Sequence, residues 1–521
     1  MCQDEPAISR ALSRSQRDSH DVTFGLDIDP LILLAAALLV AGILVVGLAD
    51  RLRLPAALLA LGLGITVGSD VLGWVFVDDF ELVRDLSVIA LIVILFEGGL
   101  TTKPSALREA GLPGFVLSNV GVLITAAITA LGVNLIVGGD WRTAWLIGAV
   151  VASTDAAVVF DLVRRAPLPR RLANILEVES GANDPFAIVL TIGILETFTR
   201  TPTPTEWFQF GAVQFFGGAI TGVVVGVAGA LLLRLRLRSD GLYPLLALGV
   251  AAAAYGAAAR LGASGFLAVY ISGLIVGAMV PRRRPIIRSF HTSLANGADL
   301  MLFLLLGLLV FPTQLPPVAW AGLAITAVVL FVARPVGVLV CLTLFRIPWK
   351  EQAVISWAGL RGAVPIVLAT FPATAGIPGG AEIFNVVFFL VVVSLVLQAT
   401  TVVPLVRLLG IETDHPAWQS IAQALPIDSA DVDLAEIRVT DDLPISGRAL
   451  SEIPLGEGMA ATVVVRGHRV MIPTASTRLA PEDLVLVVVD RDLANVSDVT
   501  AWARGEDIQE TEREYLPSGD A

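Results

Sequence analysis

Long apolar segments, separated by short polar ones, occupy most of residues 31–409. A helix that crosses a lipid bilayer needs about 20 mostly apolar residues, and about thirteen such segments fit this range. The pattern therefore predicts an all-α polytopic membrane domain. The predicted spans are centred near residues 40, 63, 94, 126, 153, 186, 221, 251, 272, 302, 332, 361 and 396.

The composition agrees with a lipid environment for this region. Of the 521 residues, 55% are hydrophobic and 16% are charged, and the mean hydropathy is +0.79. Soluble proteins carry about 25% charged residues, so this composition argues against an ordinary soluble enzyme. Two cysteines and four scattered histidines provide neither a disulfide framework nor a metal site with His or Cys ligands.

The charged residues divide the chain into parts. Residues 31–409 contain 24 basic and 20 acidic side chains, whereas residues 410–521 contain 8 basic and 21 acidic ones. The overall net charge of −12 argues against a nucleic acid as a partner. We therefore expect these parts: a polar extracytoplasmic tail (1–30), a membrane domain (31–409), a linker (410–429), a soluble domain (430–505) and an acidic tail (506–521).

Basic residues are concentrated in alternate loops between the predicted spans, and the intervening loops are acidic or neutral. Loops rich in Lys and Arg stay on the cytoplasmic side of a membrane. This alternation places the N-terminus outside and the C-terminal domain in the cytoplasm. The basic loops carry Arg51 and Arg53, Lys103 and Arg108, Arg164 to Arg171, Arg234 to Arg238, Arg282 to Arg288, Arg346 and Lys350, and Arg407.

Two of the predicted spans carry acidic side chains at membrane depth. Asp155 follows Ser153 and Thr154 in one span, and Glu179, Asn183 and Asp184 lie together in the next. Helical spacing places Glu179 and Asn183 on one face with Asp184 beside it. Because a buried charge in a membrane is costly, such residues mark a functional site by default. Glu97, Asp161 and Asp299 lie nearer predicted span ends, where their side chains can reach water.

Two arginines, Arg334 and Arg361, also lie within apolar spans. Arg361 lies among Gly359, Gly362 and Pro365, which favour a broken helix. The interrupted spans are the fifth and the twelfth, so they cross the membrane in opposite directions, as an inverted repeat requires. In such a pair Asp155 would face a positive helix end and Arg361 a negative one. The alternative is that the buried acids and arginines only form bridges between helices.

Three motifs resemble those of bacterial monovalent cation/proton antiporters of the NhaP and potassium/proton type. They are Ser153–Ala157, Glu179–Pro185 and Gly359–Ile366; Phe96–Leu100 and Gly307–Val310 fit the same pattern. The resemblance covers residues 31–409. It implies a homodimer in the bacterial cytoplasmic membrane, in which a core domain moves relative to a dimerisation domain, with no cofactor.

The resemblance also assigns roles to individual residues. It makes Asp184 the carboxylate shared by the proton and the cation, with Thr154, Asp155, Ser180 and Asn183 completing the site. A monovalent cation would then bind at Asp184, Asp155 and Thr154. The resemblance implies a structural ion pair between Glu179 and Arg334. The Asn183–Asp184 sequence resembles the electroneutral branch, and the surrounding motif resembles the potassium/proton members more than the sodium ones.

The soluble domain has a different pattern, with β-rich runs separated by turn residues. The runs are 434–440, 461–466 and 484–489, and Ser446–Ile453 predicts a turn followed by a short helix. Residues 430–500 resemble the TrkA-C (RCK C-terminal) domain. This resemblance implies pairing of the domain and regulation by a small ligand, which is a nucleotide in some relatives; a purely structural dimerisation module is the alternative.

These features predict a secondary transporter, not an enzyme, that exchanges potassium or sodium for protons. The main alternative is a ligand-gated potassium channel, because such channels carry the same regulatory domain. The chain lacks a filter sequence of the Thr-Val-Gly-Tyr-Gly type, which argues against a channel. A membrane hydrolase that uses Asp155 and Asp184 as a carboxylate pair is a more distant alternative.

Overall fold

The structure is a computed structural model. It describes residues 28–52, 55–102, 104–155, 168–280, 284–411, 422–427, 432–467, 469–490, 493–494 and 496–505. The predictions for the acidic tail, for Asp161 and for nearly all of the N-terminal tail lie outside these residues.

Helices form the membrane domain in the described residues. In the first half they are α1 (Ile28–Leu52), α2 (Ala56–Val67), α3 (Phe80–Thr101), α4 (Pro104–Val116), α5 (Val122–Ile136), α6 (Trp141–Ala152), α7 (Arg170–Thr199), α8 (Pro204–Ala212) and α9 (Gly218–Leu233). In the second half they are α10 (Leu242–Arg260), α11 (Gly265–Met279), α12 (Arg284–Leu308), α13 (Pro316–Val328), α14 (Arg334–Thr343), α15 (Trp349–Ala358), α16 (Ala363–Thr374) and α17 (Gly380–Leu409).

Short π-helical segments join some of these helices into longer ones. Leu117–Gly121 connects α4 to α5, Val213–Gly217 connects α8 to α9, and Val329–Ala333 connects α13 to α14. By length and apolar composition, seven continuous helices of the described chain can cross a membrane, or eight with the bent pair α15–α16. The predicted count of thirteen spans therefore stays a prediction.

The predicted centres nevertheless locate the helices well. Eleven centres fall inside helices or their π-helical joints, and the other two, residues 153 and 361, fall at helix breaks. Helices α2, α6 and α11 are apolar but have only 12, 12 and 15 residues. Helices α3 and α7 are long enough but contain several ionisable residues, which lowers their hydropathy.

Side chains in the sequence determine where several helices begin and end. Asp79 accepts hydrogen bonds from two backbone amides in the first turn of α3. Ser264 accepts one such hydrogen bond, from the amide of Leu267, at the beginning of α11. At the other end of α3, Arg284 donates a hydrogen bond to the carbonyl oxygen of Leu100 over 3.1 Å. These contacts satisfy backbone groups that a helix end leaves without partners.

The described helices of the membrane domain pack as two bundles. Bundle A comprises residues 28–101 and 204–308, and bundle B comprises the described parts of 104–199 and 316–409. Contacts between the bundles involve few helices, chiefly α16 with α3 and α12, and α7 with α11. In bundle B the order of a π-jointed helix, a break and a long helix occurs twice, in α4–α7 and in α13–α17.

Bundle A is held together by close backbone contacts between α3 and α11. A Cβ atom on Gly99 would overlap the carbonyl oxygen of Tyr270, and one on Gly273 would overlap that of Phe96. Only glycine allows helices to approach this closely. The contact fixes Tyr270 beside α3, at the face that bundle A turns toward bundle B.

A small α+β domain follows the membrane domain. Its strands are β1 (Ala422–Ile427), β2 (Val432–Arg438), β3 (Met459–Arg466), β4 (Arg469–Met471) and β5 (Leu484–Asp490). They form one antiparallel sheet of order β1-β2-β5-β3-β4, and helix α18 (Val496–Ala503) follows β5. The three predicted β-rich runs are confirmed. The sheet begins earlier than predicted, because β1 lies within the segment that we expected to be a linker.

Candidate ion-binding site

The two helix breaks of bundle B lie against each other. Helix α6 ends at Ala152, and α15 and α16 are bent by 52° across residues 359–362. The backbone amide of Asp155 donates a hydrogen bond to the carbonyl oxygen of Leu360 over 3.0 Å. Backbone groups released by each break are therefore satisfied at the crossing, as membrane burial requires.

Two buried charges face the helix ends at this crossing. Arg361 donates hydrogen bonds from Nη1 to the carbonyl oxygens of Ala152 (3.0 Å) and Ser153 (2.7 Å), at the C-terminal end of α6. Asp155 accepts a hydrogen bond from the amide of Ala363 over 3.0 Å, at the beginning of α16. Each charge is opposite in sign to the helix dipole that it meets. Gly362 leaves room for this, since a Cβ atom there would overlap the Asp155 carboxylate.

Glu179 and Arg334 form a buried ion pair between α7 and α14. The two side chains are joined by two hydrogen bonds, of 2.5 and 2.8 Å, and both residues are almost fully buried. Arg334 also packs over Gly359, where a Cβ atom would lie 2.6 Å from Nε. The two-bonded geometry is typical of strong arginine–carboxylate pairs, and it ties α7 and α14 to the second break.

Asn183 connects α7 to the first break. Its Nδ2 atom donates a hydrogen bond to Oγ1 of Thr154 over 2.5 Å. The Asn183 Oδ1 atom and the Ser180 Oγ atom are buried and have no hydrogen-bond partner among the described residues. Two oxygen atoms able to accept a hydrogen bond or a cation thus lie close to Asp184 along α7.

Asp184 lies at the meeting point of the two bundles. It is 3% exposed, and its Oδ1 atom has no hydrogen-bond partner in the described part of the chain. It lines a cavity of about 20 Å³ together with Asp155, Gly181, Tyr270 and Asp299, and with apolar residues of α3 and α16. This volume has room for about one water-sized particle.

A comparison with protein families identifies the membrane domain that contains this site. The profile described as "Sodium/hydrogen exchanger, transmembrane" matches residues 35–408, which is most of the chain. The chain belongs to the sodium/hydrogen exchanger family. The C-terminal domain of this exchanger matches the TrkA-C domain over residues 434–497.

Individual relatives of this chain support the family assignment. It is 35% identical over 487 residues to the K(+)/H(+) antiporter NhaP of Alkalimonas amylolytica, covering 91% of this chain and 83% of the relative. It is 33% identical over 469 residues to the K(+)/H(+) antiporter NhaP2 of Shewanella baltica, covering 88% and 81%. Among solved structures, the sodium proton antiporter MjNhaP1 of Methanocaldococcus jannaschii at pH 8 matches with a TM-score of 0.65 and 25% identity, over 74% of this chain and all of that one.

The exchanger's cavity includes residues that sequence analysis missed. Asp299 lies well inside α12 and not at a helix end, and it lines the same cavity as Asp155 and Asp184. Tyr270, which no sequence motif indicates, lines the cavity as well. Of the five residues predicted to bind the ion, Asp155 and Asp184 line the cavity, whereas Thr154, Ser180 and Asn183 lie next to it. Glu97 instead accepts a hydrogen bond from Thr292 over 2.9 Å, between α3 and α12.

Proposed function

We propose that the protein exchanges a monovalent cation for protons, and that Asp184 binds each of them in turn. The observation that carries this proposal is the buried Asp184 carboxylate with an unpartnered oxygen at a cavity of about one water molecule. A carboxylate removed from water is costly unless a proton or a cation neutralises it. Proton and cation then compete for the same oxygen atoms, so each turn carries one or the other.

The other ligands of the cation come from the crossing of the two breaks. Asp155 lines the cavity, and Thr154, Ser180 and Asn183 provide further oxygen atoms beside it. Hard oxygen ligands suit a partly dehydrated alkali cation. In this proposal the cation binds at Asp184, Asp155 and Thr154. Arg361 stays engaged with backbone carbonyl groups and does not neutralise the carboxylates.

Movement of bundle B against bundle A would give access to the site from each side in turn. A wide vestibule of about 560 Å³ lies between the bundles at one end, lined by Arg84, Asp85 and Tyr255 of bundle A and by Leu195 and Thr374 of bundle B, among others. By the predicted topology this end faces the outside. Few helix pairs are in contact between the bundles, which is consistent with such a movement.

Potassium is the cation that we favour. Two relatives that match over four fifths of their length are named K(+)/H(+) antiporters, whereas a relative named Na(+)/H(+) antiporter, NhaS2 of Synechocystis, is 31% identical over 63% of this chain. Sodium remains the second candidate. The Asn183–Asp184 pair offers one exchangeable carboxylate beside a neutral amide, which supports electroneutral exchange of one cation for one proton.

The test is cation-driven proton movement in everted membrane vesicles, followed by dequenching of a pH-sensitive dye. Potassium, sodium and lithium are compared over a pH series. We expect potassium to give the largest response, and Asp184→Asn to abolish the response to every cation. Asp240→Asn, which removes an exposed carboxylate from a loop, is the control and should leave exchange unchanged. Exchange retained by Asp184→Asn would overturn the proposal.

The channel alternative predicts a different electrical behaviour. A channel would pass potassium currents far above the turnover of a carrier and would not need a titratable carboxylate in the site. Currents of that size across a planar bilayer would favour the channel, whereas silent electroneutral exchange supports the antiporter. Cleavage of a model substrate would be needed to support the hydrolase, and none of the relatives above is named as an enzyme.

We further propose that the TrkA-C domain regulates exchange from the cytoplasm, with the N-terminus outside, in a homodimer in the bacterial cytoplasmic membrane. A nucleotide is one candidate ligand of this domain. Deletion of residues 411–521 should leave exchange intact but change its activation by pH or by an added nucleotide. Loss of the dimer without any change in activation would favour the structural alternative for this domain.

A further inference from the structure

Three carboxylates, not two, line the cavity at the meeting point of the bundles. Asp155 and Asp184 belong to bundle B, and Asp299 belongs to α12 of bundle A, on the opposite wall. The sequence-based site, with all its residues between 154 and 184, lies entirely on bundle B. Asp299 therefore brings to the cavity a charge from the bundle that the proposed exchange mechanism holds still.

Asp299 has no counter-charge among the described residues that would explain its place in the membrane domain. It forms no salt bridge with any residue that the structure describes. Among the described residues, the cavity lining includes no Lys or Arg, and Arg361 donates to the carbonyl groups at the end of α6. A charged group at this depth is costly without a partner, so a proton or a cation must neutralise it.

The unpartnered oxygen of Asp184 is a second observation that points to a ligand in the same space. Asp184 is only 3% exposed, and its Oδ1 atom has no hydrogen-bond donor among the described residues. However, no three Asp, Glu, His or Cys side chains of the described chain are close enough to coordinate one metal ion together. We therefore do not assign Asp155, Asp184 and Asp299 together as direct ligands of one ion.

We propose that Asp299 is an outer ligand of the transported cation, acting through its negative charge from the opposite wall of the cavity. The inference rests on the proposed function of Asp184. The cavity volume of about 20 Å³ holds one such particle between the walls. Because the two walls belong to different bundles, Asp299 strengthens cation binding only while the bundles are arranged as in this structure.

The test uses the purified full-length protein, with radioactive rubidium as the potassium probe. We expect Asp299→Asn to weaken equilibrium rubidium binding on the order of ten-fold, since a unit charge a few ångströms away is felt strongly at low dielectric. In proteoliposomes the same variant should raise the KM for potassium with little change in kcat. Asp299→Glu, which keeps the carboxylate, should bind rubidium within about three-fold of the wild type.

The outcomes separate this inference from the proposed function. If Asp299→Asn binds rubidium as well as the wild type does, the outer-ligand role is overturned, whatever the effect of this variant on transport. In that case, loss of exchange in Asp184→Asn would still support the proposed exchange site. Weaker binding that Asp299→Glu does not restore would also overturn it, because the defect would then be one of packing. Exchange retained by Asp184→Asn would instead remove the proposed function on which the inference rests.

Discussion

Arg361 donates a hydrogen bond to the carbonyl oxygen of Ser153 over 2.7 Å, and so joins the break between α15 and α16 to the end of α6. Asp155, two residues after Ser153, accepts a hydrogen bond from Ala363 in return. The charged side chain at each break therefore compensates the helix end at the other break. The crossing is a single unit, and the Asp155 carboxylate, which lines the cavity, is held by the backbone at the beginning of α16.

Arg361→Gln should lower the stability of the folded protein. The shorter side chain leaves two buried carbonyl groups with poorer partners, which costs about 1–3 kcal/mol for an unsatisfied group. The melting temperature of the detergent-purified protein should fall by several degrees, and Arg361→Lys should recover part of the loss. The exposed Arg238→Gln variant serves as the control. A melting temperature equal to that of the wild type would contradict the structural role.

Breaking the Glu179–Arg334 pair should harm folding at least as much as transport. Each single change, Glu179→Gln or Arg334→Gln, leaves one buried charge without its partner, at a cost of about 3–5 kcal/mol. The yield of monodisperse protein in size-exclusion chromatography should drop for both. The double variant Glu179→Leu with Arg334→Met should recover yield. Normal yield with selectively weaker rubidium binding would place this pair in the ion site instead.

Gly362→Ala should impair exchange because its methyl group would overlap the Asp155 carboxylate. The backbone must then shift at the crossing, and we expect at least about a ten-fold loss of exchange activity, as misplacement of a site residue commonly causes. Gly256→Ala in α10 is the matched control, because a Cβ atom there would meet open space. Equal activity of the two variants in proteoliposomes would show that the packing around Asp155 is not required.

The TrkA-C domain has an ion pair whose effect depends on pH. Burial raises the pKa of the Asp483 carboxyl, but hydrogen bonds from Arg466 (2.7 Å) and the amide of Ala480 outweigh it and hold the pKa below its ordinary value. Because the pKa of Asp483 is lowered in the folded state, its ionised carboxylate stabilises the domain at pH values above the ordinary pKa of about 3.9. This stabilisation is lost as the pH falls through the folded-state pKa.

Asp483→Asn should therefore destabilise the domain at pH 7, by about 1–3 kcal/mol, and less so as the pH approaches 3. Urea unfolding of the fragment 420–505 measures this through Trp502, which is its sole tryptophan and is buried against the sheet, where Nε1 donates to the carbonyl oxygen of Ile453. A destabilisation that is constant from pH 7 to pH 3 would contradict the proposed charge effect.

The sequence was most informative where the membrane limits the possible structures. A helix satisfies its own backbone hydrogen bonds in lipid, so the apolar segments indicated where the helices lie. Glycine and proline around Arg361 indicated a break in one of them. A linear pattern does not tell which side chains of different helices face one cavity. Asp299 was missed for that reason, since its neighbours in the sequence gave no sign of Asp184 on the opposite wall.

The edge of the C-terminal sheet was missed for a related reason. Strand β1 includes Pro426 and has a single β-branched residue, Ile427, whereas β5 has four valines. Proline is tolerated in a strand at the edge of a sheet, and β1 lies at the edge, paired with β2 alone. Its conformation depends on that pairing, which local propensity does not reveal.

Competition between proton and cation for Asp184 is the central claim, and proton release on cation binding tests it most directly. Potassium chloride is added to the purified protein in weakly buffered solution near the pH at which exchange is half-maximal, and released protons are followed with a pH indicator. The account predicts release that saturates with potassium in the wild type and is absent in Asp184→Asn. Saturable rubidium binding by the wild type without any proton release would contradict it.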